Sequence, residues 1–379
     1  MHRCDVLIVG GGPAGSACAR DLVRAGCDVI VADRARFPRD KPCAGWITPA
    51  VVETLGLDLD AYRRAGLTLQ PITGFQTGIA GGPRGADVDF GRVVSYGIRR
   101  CEFDAYLLER SGARVLAPMP VARLARERDR WVVDDAIEAR VIVGAGGHFC
   151  PVAAHLNPGP PEGPLVVAQE IERPVDDDGD GDAGRAERPG LYFCADLDGY
   201  GWVFRKGRYV NVGFGREGGR AGRRDLAAAA RAFHAWAERE GLVPAGLPRA
   251  WRGHAYLLYG RPRRRVCGEG VVLVGDAAGL AHPVSGEGIL PAVESGRLAA
   301  RAVLASGGRG DREALASYEE ALRRRYGPPP DPRGWSRRLP PSIARPIGRR
   351  LITNPWFARH VLVARWFLHL QQPPLALAG

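Results

Sequence analysis

A hydrophobic run that leads into a glycine turn places the strongest constraint on the fold of this chain. The run Asp5–Val9 is typical of a buried strand, and Gly10, Gly12 and Gly15 follow it in the spacing GxGxxG before a helical pattern that ends near Gly26. Gly10 permits a tight turn, Gly12 lets backbone approach a pyrophosphate, and Gly15 lets the helix pack on the strand. The pattern predicts a Rossmann-like unit.

An acidic residue at the end of the next strand completes this pattern. The run Cys27–Ala32 predicts a second strand, and Asp33 follows it, at roughly the offset of 20 positions at which an acid accepts the 2′-hydroxyl of an adenosine ribose. Pro13 and Ala14 in the turn and Arg34 after the acid are further candidates for contact with the ligand. We therefore expect a dinucleotide that contains ADP.

A second stretch of the same kind lies near the C-terminal end of the globular sequence. Val271–Val274 predicts a buried strand that stops at Gly275 and Asp276. An irregular turn with Pro283, Gly286 and Gly288 follows, and a helical pattern begins near Ile289. The first amides of a helix lack intrahelical partners and its dipole favours negative charge, so this turn predicts an anion site.

The middle of the chain contains further candidates. Arg100 stands before a predicted helix, Phe103–Arg110, and is expected to contact a phosphate or ribose or to form a surface ion pair. The strands 165–171 and 191–195 are predicted to pair in a separate antiparallel sheet. The acidic stretch 176–187 between them matches a calcium-loop spacing, but both flanks predict strands, which favours a solvated hairpin loop over a calcium site.

An aromatic stripe marks the hairpin that follows. Tyr200, Trp202 and Phe204 alternate along one strand and therefore share a face, and the turn is expected near Lys206. Such a face either packs into the core or lines an apolar substrate pocket. Lysine occurs only at Lys41 and Lys206, so both positions are candidates for sites that need a compact ammonium group, although coding bias toward arginine explains the pattern equally well.

Charge and cysteine content limit the partners. The formal net charge is +11, and eight arginines against one aspartate lie in the tail 331–379, with no ladder of stacking aromatics elsewhere, which argues against nucleic acid. Eight cysteines without metal-ligand spacing predict reduced thiols and no metal site. No membrane span or signal peptide is expected, so we predict a cytoplasmic protein, with the tail either closing over the second domain or resting on anionic lipid.

Three motifs resemble the geranylgeranyl reductase-like group of FAD-dependent oxidoreductases, which have the glutathione-reductase-type fold and are related to aromatic hydroxylases and flavin halogenases. The stretch from Lys41 through Cys43 to Gly45 is similar to the KPCGG loop of that group, the strand from Tyr200 to Lys206 to its YxWxFPK motif, and 279–289 to its GLxxPxSGEGI turn. The resemblance covers about residues 5–310. Ala44, Arg205 and Gly146 depart from the corresponding motifs.

The resemblance implies the cofactor, the activity and the roles of the candidate residues. FAD would bind through the residues named above from Gly10 to Asp276, with its ring against the turn 283–288 and the helix from Ile289. Reduced FAD would then transfer hydride to a carbon–carbon double bond of a small apolar, isoprenoid-like substrate. Tyr200, Trp202, Phe204, Lys41 and Cys43 are the implied catalytic residues, Cys43 being either a proton donor or a buried thiol. A monooxygenase or halogenase and a maturation factor for a partner protein remain alternatives.

The predicted architecture is α/β, or α+β overall. A Rossmann-like FAD-binding domain with a parallel sheet comprises 1–70, 93–155 and 266–310, and it is interleaved with an antiparallel-sheet substrate domain of 71–92 and 156–265. A helical tail of 311–379 completes the chain. The other GxGxxG spacings, 213–218 in the predicted hairpin and 179–184 in the acidic stretch, do not join a strand directly to a helix. The electron donor is therefore expected to be transiently bound NAD(P)H or a ferredoxin-like protein.

Overall fold

A computed structural model describes residues 1–82, 85–159, 165–175, 186–218, 223–248, 250–260, 264–308, 310–328 and 340–376. The strands in chain order are β1 (His2–Val9), β2 (Val29–Ala32), β3 (Trp46–Ile47), β4 (Leu69–Ile72), β5 (Gly74–Ile79), β6 (Ala86–Asp89), β7 (Ser95–Ile98), β8 (Arg114–Leu116), β9 (Leu124–Glu127), β10 (Arg130–Val133), β11 (Ile137–Gly144), β12 (Leu165–Pro174), β13 (Gly190–Phe193), β14 (Gly199–Lys206), β15 (Tyr209–Gly218), β16 (Arg252–Leu257), β17 (Cys267–Gly268) and β18 (Val271–Leu273).

The helices connect these strands and form the end of the chain. They are α1 (Pro13–Arg24), α2 (Pro49–Leu55), α3 (Leu59–Arg64), α4 (Arg100–Glu109), α5 (Pro151–Leu156), α6 (Arg223–Arg239), α7 (Ile289–Ala305), α8 (Arg312–Tyr326), α9 (Pro341–Ile352) and α10 (Pro355–Phe357), with a 3₁₀ turn at Gly275–Ala277 and a π-helix at Ala358–Phe367. None of the helices in the described ranges is both long and apolar enough to cross a bilayer.

The chain divides into two compact units. Unit 1 comprises Met1–Asp40, Cys101–Gly163 and Tyr256–Pro330, and unit 2 comprises Lys41–Arg100, Pro164–Ala255 and Asp331–Gly379. The predicted boundaries differ at several points, because 41–70 and 93–100 belong to unit 2, whereas 156–163 and 256–265 belong to unit 1. The predicted separate tail is divided as well: α8 belongs to unit 1, and α9, α10 and the π-helix belong to unit 2.

Unit 1 is built on a sheet in the order β17-β18-β11-β1-β2-β8, in which the five strands from β18 to β8 run parallel. Strand β10 pairs antiparallel with β11 and carries β9. The central strands are apolar runs buried along most of their length, as expected for a parallel sheet covered on both faces. This confirms the predicted α/β class and the Rossmann-like unit. Helix α8 completes the unit, since Tyr318 Oη donates to the Leu273 carbonyl over 2.8 Å.

Unit 2 contains a seven-stranded sheet in the order β16-β12-β15-β14-β13-β5-β6 and a small antiparallel sheet in the order β3-β7-β4. The hairpin of β14 and β15 turns after Lys206, as predicted. The predicted pairing of 165–171 with 191–195 is wrong: β12 pairs with β15, whereas β13 pairs with β14 and, in parallel, with β5. The two strands share one sheet but the hairpin lies between them. The positions 176–185 of the acidic stretch lie outside the described residues.

The tail contributes to the apolar core of unit 2. Ala358, Leu362, Val363 and Phe367 of the π-helix are buried in one cluster with residues of β5, β6 and β14. Burial of four apolar side chains stabilises this arrangement by several kcal/mol, at about 25 cal/mol for each Å² of apolar surface. Two roles were predicted for the tail, and the π-helix has the first of them, because it packs on the second unit.

Candidate functional site

The glycine turn after β1 has the geometry that a bound diphosphate needs. Gly10 has φ +114°, and a Cβ there would collide with the Ala145 carbonyl. A Cβ on Gly15 would collide with the Gly10 carbonyl, so the helix lies directly on the turn. In contrast, a Cβ on Gly12 would have ordinary contacts with Arg39, at 3.5 Å, and with Oδ2 of Asp104, at 4.0 Å, and no side-chain hydrogen bond caps α1. The first amides of α1 therefore remain available, and the turn fits a diphosphate group.

Asp33 lies against this turn. It is 7% exposed, its Oδ2 accepts from the Gly11 amide over 2.8 Å, and its Oδ1 accepts from the Ala35 amide over 3.0 Å. Asp33 therefore lies beside the glycine turn, as expected for an adenosine ribose contact, whereas Arg34, the next predicted residue, is exposed. The sequence therefore identified the acid, whereas the structure gives no burial or contact that distinguishes Arg34.

Arg39 is a residue that the sequence analysis missed. Its Nε lies 3.7 Å from Asp33 Oδ2, and its Nη1 lies 3.4 Å from Oδ2 of Asp104, which is fully buried in α4. The guanidinium also lies over the Phe37 ring, 4.6 Å from its centroid. A cation is thus fixed beside Gly12, where it complements a diphosphate. Its only sequence signal is a position in the charged loop that follows Asp33.

The helix that follows the second glycine turn begins close to α1. Gly275 has φ +57°, a Cβ there would lie 3.2 Å from Cβ of Ala14, and a Cβ on Gly296 would collide with the Ala14 carbonyl. The predicted helix start at Ile289 is confirmed. A Cβ on Gly288 would lie 3.3 Å from Oδ1 of Asp276, so this carboxylate is next to the start of α7. The start of α7 and the first turn of α1 therefore belong to one site.

The turn 282–288 is held by its own side chains. His282 Nδ1 accepts from the amides of Val284 and Ser285, each over 3.3 Å. Gly286 has φ +70°, and a Cβ there would collide with the Tyr256 hydroxyl. Pro283 is half-buried in the same turn. These contacts hold the backbone of the turn in one conformation.

Glu287 is a second residue that the sequence analysis missed. Its Oε1 accepts from the Leu290 amide over 2.7 Å, which caps α7. Its Oε2 is buried and has no hydrogen-bond partner among the described residues. Burial raises the pKa of Glu287 to about 7, and the nearby Glu294 and Asp276 carboxylates act in the same direction against the Leu290 amide. The unsatisfied buried oxygen leaves a hydrogen-bonding position open beside the start of α7, which a polar group of a cofactor can fill.

In unit 2, a buried polar network joins the loop 41–45 to the hairpin. Lys206 is fully buried, and its Nζ donates to Glu172 Oε1 over 2.6 Å and to the Ile98 carbonyl over 3.1 Å. Arg99 Nε donates to Glu172 Oε2 over 3.3 Å. Although burial alone raises the pKa of Glu172, Lys206 and Arg99 together hold it below its usual value. Lys206 thus occupies a site that suits a compact ammonium group.

Gly45 shows why the loop carries a glycine at this position. It has φ +67°, and a Cβ there would collide with Lys206 Nζ and with the Ile98 carbonyl. The adjacent Ala44 packs against the apolar cluster of unit 2 instead. The departure at Ala44 is therefore compatible with the fold, whereas the position of Gly45 requires glycine.

Asn211 connects this network to Cys43. Its Nδ2 donates to the Cys43 carbonyl and to Glu170 Oε2, each over 3.2 Å, and its Oδ1 accepts from Trp202 Nε1 over 2.7 Å. Burial raises the pKa of Glu170 to about 7, and Glu172 adds to this effect, against Lys206 and the hydrogen bonds from Cys43 and Asn211. The sequence analysis missed Glu170 and Asn211, because no local pattern indicates that β12 and β15 lie beside the loop 41–45.

The remaining predicted catalytic residues fall into different environments. Lys41 Nζ lies 2.8 Å from Nε2 of His254. Cys43 is half-buried, and its Sγ accepts from the Gly45 amide over 3.4 Å. Trp202 and Phe204 are buried in the core of unit 2, with the Phe204 ring 5.0 Å from that of Trp46.

The aromatic stripe is therefore largely a core face, one of its two predicted roles. Tyr200 remains partly exposed, with its ring 5.4 Å from Phe367 and 5.6 Å from Phe193. Arg100 is half-buried and is the first residue of α4, so the helix begins three residues earlier than predicted. The KPCGG-like and YxWxFPK-like motifs thus meet in one hydrogen-bonded network within unit 2.

Comparison with known proteins gives a consistent result. Residues 3–94 match the family model described as an FAD binding domain. The chain is 32% identical to the menaquinone reductase of Mycobacterium tuberculosis, over 85% of this chain and 80% of that protein. It is 31% identical to the chloroplastic geranylgeranyl diphosphate reductase of rice, Oryza sativa, over 86% of this chain and 71% of that protein.

A solved structure shows the same fold. The crystal structure of a geranylgeranyl bacteriochlorophyll reductase-like protein from Thermoplasma acidophilum superimposes with a TM-score of 0.74 and 21% identity, and the match covers 93% of this chain and 91% of that chain. The similarity therefore extends over both units and is not limited to the glycine turn.

Proposed function

The chain belongs to the FAD-dependent oxidoreductases of the geranylgeranyl reductase-like family, and on this basis we propose that it reduces carbon–carbon double bonds of an apolar, isoprenoid-like substrate. It binds FAD, and the residues of the two glycine turns and Asp33 fit that cofactor. Bound FAD in its reduced form supplies the hydride. The second carbon of the double bond then needs a proton, which the protein must deliver.

The observation that carries this proposal is the buried network around Lys206. It ties the loop that contains Cys43 to the hairpin that contains the aromatic stripe, through Asn211 and Gly45. Both segments resemble motifs of the reductase group. A network of satisfied buried polar groups fixes the positions of its members, and a fixed loop is what a positioned proton donor requires.

We propose Cys43 as the proton donor. Its carbonyl is held by Asn211 and its sulfur by the Gly45 amide, so the thiol has one defined position. Glu170, with a pKa of about 7, acts as a positioning residue, since it shares Asn211 with the Cys43 carbonyl.

We propose that Tyr200 contributes to the contact with the apolar substrate, because its ring is partly exposed. Trp202 and Phe204 then act by supporting this surface from within the core. For the electron donor, transiently bound NAD(P)H or a ferredoxin-like protein is proposed, since the second GxGxxG spacing in the described residues, 213–218, lies within strand β15 and not in a strand–turn–helix unit. A cytoplasmic location is proposed as well, and it is supported by eight cysteines that lack metal-ligand spacing, which suits a reducing compartment.

An anaerobic single-turnover experiment tests the function. The FAD-loaded protein is reduced, mixed with geranylgeranyl diphosphate or a menaquinone, and followed by the return of the oxidised flavin absorbance. We expect reoxidation in the absence of oxygen and a product that has gained two hydrogens for each reduced double bond, seen by mass spectrometry. Reoxidation only with oxygen, together with a product that contains added oxygen or halogen, would refute the proposal.

A pair of cysteine variants tests the proton donor. Cys43→Ala is expected to slow reoxidation by substrate about 10²–10⁴-fold, the usual contribution of a positioned acid, without loss of bound FAD. Cys194→Ala serves as the control, because this thiol also lies in unit 2 and burial raises its pKa to about 11. Equal rates for the two variants would exclude Cys43 as the donor while leaving the double-bond reduction itself untouched.

A further inference from the structure

Helix α9 carries an apolar stripe that faces solvent. Ile343, Ile347 and Leu351 follow one another at intervals of four residues, so they lie on one face of the helix, and they are 49%, 50% and 39% exposed. Large aliphatic side chains that are exposed singly are common in proteins, but three in register along one helix form a continuous surface. We call these three residues the α9 stripe.

The opposite side of α9 is firmly attached to unit 2. Ile352 is buried in the apolar cluster, and its carbonyl accepts from Thr77 Oγ1 over 3.5 Å. Arg349 Nε donates to the Ala195 carbonyl over 2.6 Å. Gly348 lies so close to Leu197 that a Cβ would meet its Cδ1 at 2.5 Å. The helix is therefore fixed by one face, and the exposure of the α9 stripe follows from its orientation.

The residues around the α9 stripe have the composition of a membrane-surface segment. Arg350 is exposed on the helix, and Trp356, just after it, is 64% exposed. The described segment 340–376 contains five arginines and no aspartate or glutamate. Tryptophan is favoured at the headgroup level of a bilayer, and arginine is attracted to anionic lipid while its methylene stem covers apolar surface.

We propose that α9 docks this protein on the surface of a bilayer that contains anionic lipid. The α9 stripe enters the boundary between headgroups and acyl chains, Trp356 lies at headgroup level, and Arg350 contacts lipid phosphate. The segment 340–376 has no acidic residue, and its five arginines keep it positive even though Arg345 pairs with Asp198 over 3.6 Å. This charge favours an anionic lipid surface over a protein partner as the occupant. This inference does not depend on the identity of the substrate.

The expected strength can be derived from the exposed side chains. A half-exposed aliphatic side chain gains about half of its full burial energy on insertion, which corresponds to about a fivefold change in partitioning for each residue and about 100-fold for three. The triple variant Ile343→Ser, Ile347→Ser, Leu351→Ser should therefore bind vesicles about 100-fold more weakly. Because these positions are exposed, the variant should fold and retain FAD.

Vesicle cosedimentation with the full FAD-loaded chain tests the proposal. We expect binding to vesicles of phosphatidylcholine and phosphatidylglycerol, weaker binding to phosphatidylcholine alone, and weaker binding of Arg350→Gln to the anionic vesicles. The control is the double variant Val115→Ser, Leu304→Ser, which removes two similarly exposed apolar residues from unit 1 and should bind like the wild type.

Three results would overturn the proposal. The first is no binding of the wild type to anionic vesicles, and the second is equal binding of the wild type and the triple variant. The third is a wild-type dimer in analytical ultracentrifugation that the triple variant converts to a monomer, without vesicle binding by either, which would assign the α9 stripe to a contact between two copies of the chain.

Discussion

Replacement of Gly45 by alanine tests whether the buried ammonium group of Lys206 determines the sequence of the loop 41–45. A methyl group at this position would collide with Lys206 Nζ and with the Ile98 carbonyl. The residue also has φ +67°, a region that costs a non-glycine residue about 1–2 kcal/mol. If the methyl group displaces Lys206 from Glu172, a buried ion pair breaks, which adds about 3–5 kcal/mol. The expected loss in the free energy of unfolding is therefore about 5 kcal/mol.

Gly66→Ala provides the matched control. Gly66 also lies in unit 2 and has φ +73°, but a Cβ there has no neighbour within 4 Å. It should therefore show the backbone cost alone. At about 2–4 °C of melting temperature for each kcal/mol in a unit of this size, we expect a decrease of about 2–8 °C for Gly66→Ala and about 10–20 °C for Gly45→Ala.

Differential scanning calorimetry of the FAD-loaded proteins measures both shifts. The flavin absorbance should remain in both variants, since the two glycine turns and Asp33 lie in the other unit. Equal decreases for the two variants would refute the reasoning, because they would show that the space around Lys206 does not constrain the loop.

Three further predictions concern Glu170, Asp33 and Gly288. The pKa of Glu170 is raised from 4.5 to about 7, so the folded protein holds this proton more tightly than the unfolded chain does. The free energy of unfolding should therefore decrease as the pH rises through that window, by up to about 3 kcal/mol relative to a carboxyl with an unshifted pKa. Glu170→Gln should flatten the pH dependence of unfolding there and remove a protonated-carboxyl infrared band at pH 6; an unchanged band would contradict the assignment. Asp33→Asn should weaken FAD binding about tenfold in fluorescence titration of the apoprotein, by about 1.4 kcal/mol, whereas an equal effect of Arg34→Gln would count against Asp33. Gly288→Asp adds a charge beside Asp276 at the start of α7 and should lower the flavin reduction potential by about 20 mV, the equivalent of about 1 kcal/mol, relative to Gly288→Asn; identical potentials would remove the role of this helix start.

The sequence was most informative where the determining contacts are local. The turn from Gly10 to Gly15 and the acid at Asp33 follow a fixed spacing, since strand, turn and helix are consecutive in the chain. The start of α7 at Ile289 and the hairpin turn after Lys206 were predictable for the same reason. The backbone conformation at each of these points is determined by a few neighbouring residues.

The contacts that could not be predicted join distant parts of the chain. Glu170 and Asn211 meet Cys43 because β12 and β15 are neighbours, and strand order does not follow from the pattern of any one strand. The same limit explains the wrong pairing of 165–171 with 191–195. Arg39 has no distinguishing signal in a loop that is rich in arginine, since its role comes from the position of Asp104 in α4.

The lysine pattern makes the buried network of unit 2 directly observable by protein chemistry. Lysine occurs only at positions 41 and 206, and the Lys206 side chain has no exposed surface, whereas Lys41 is half-buried. An acylating reagent should therefore modify Lys41 in the folded protein and Lys206 only in molecules that have opened locally. The ratio of the two modified peptides would report how often the loop around Cys43 comes apart, under conditions in which the protein as a whole stays folded.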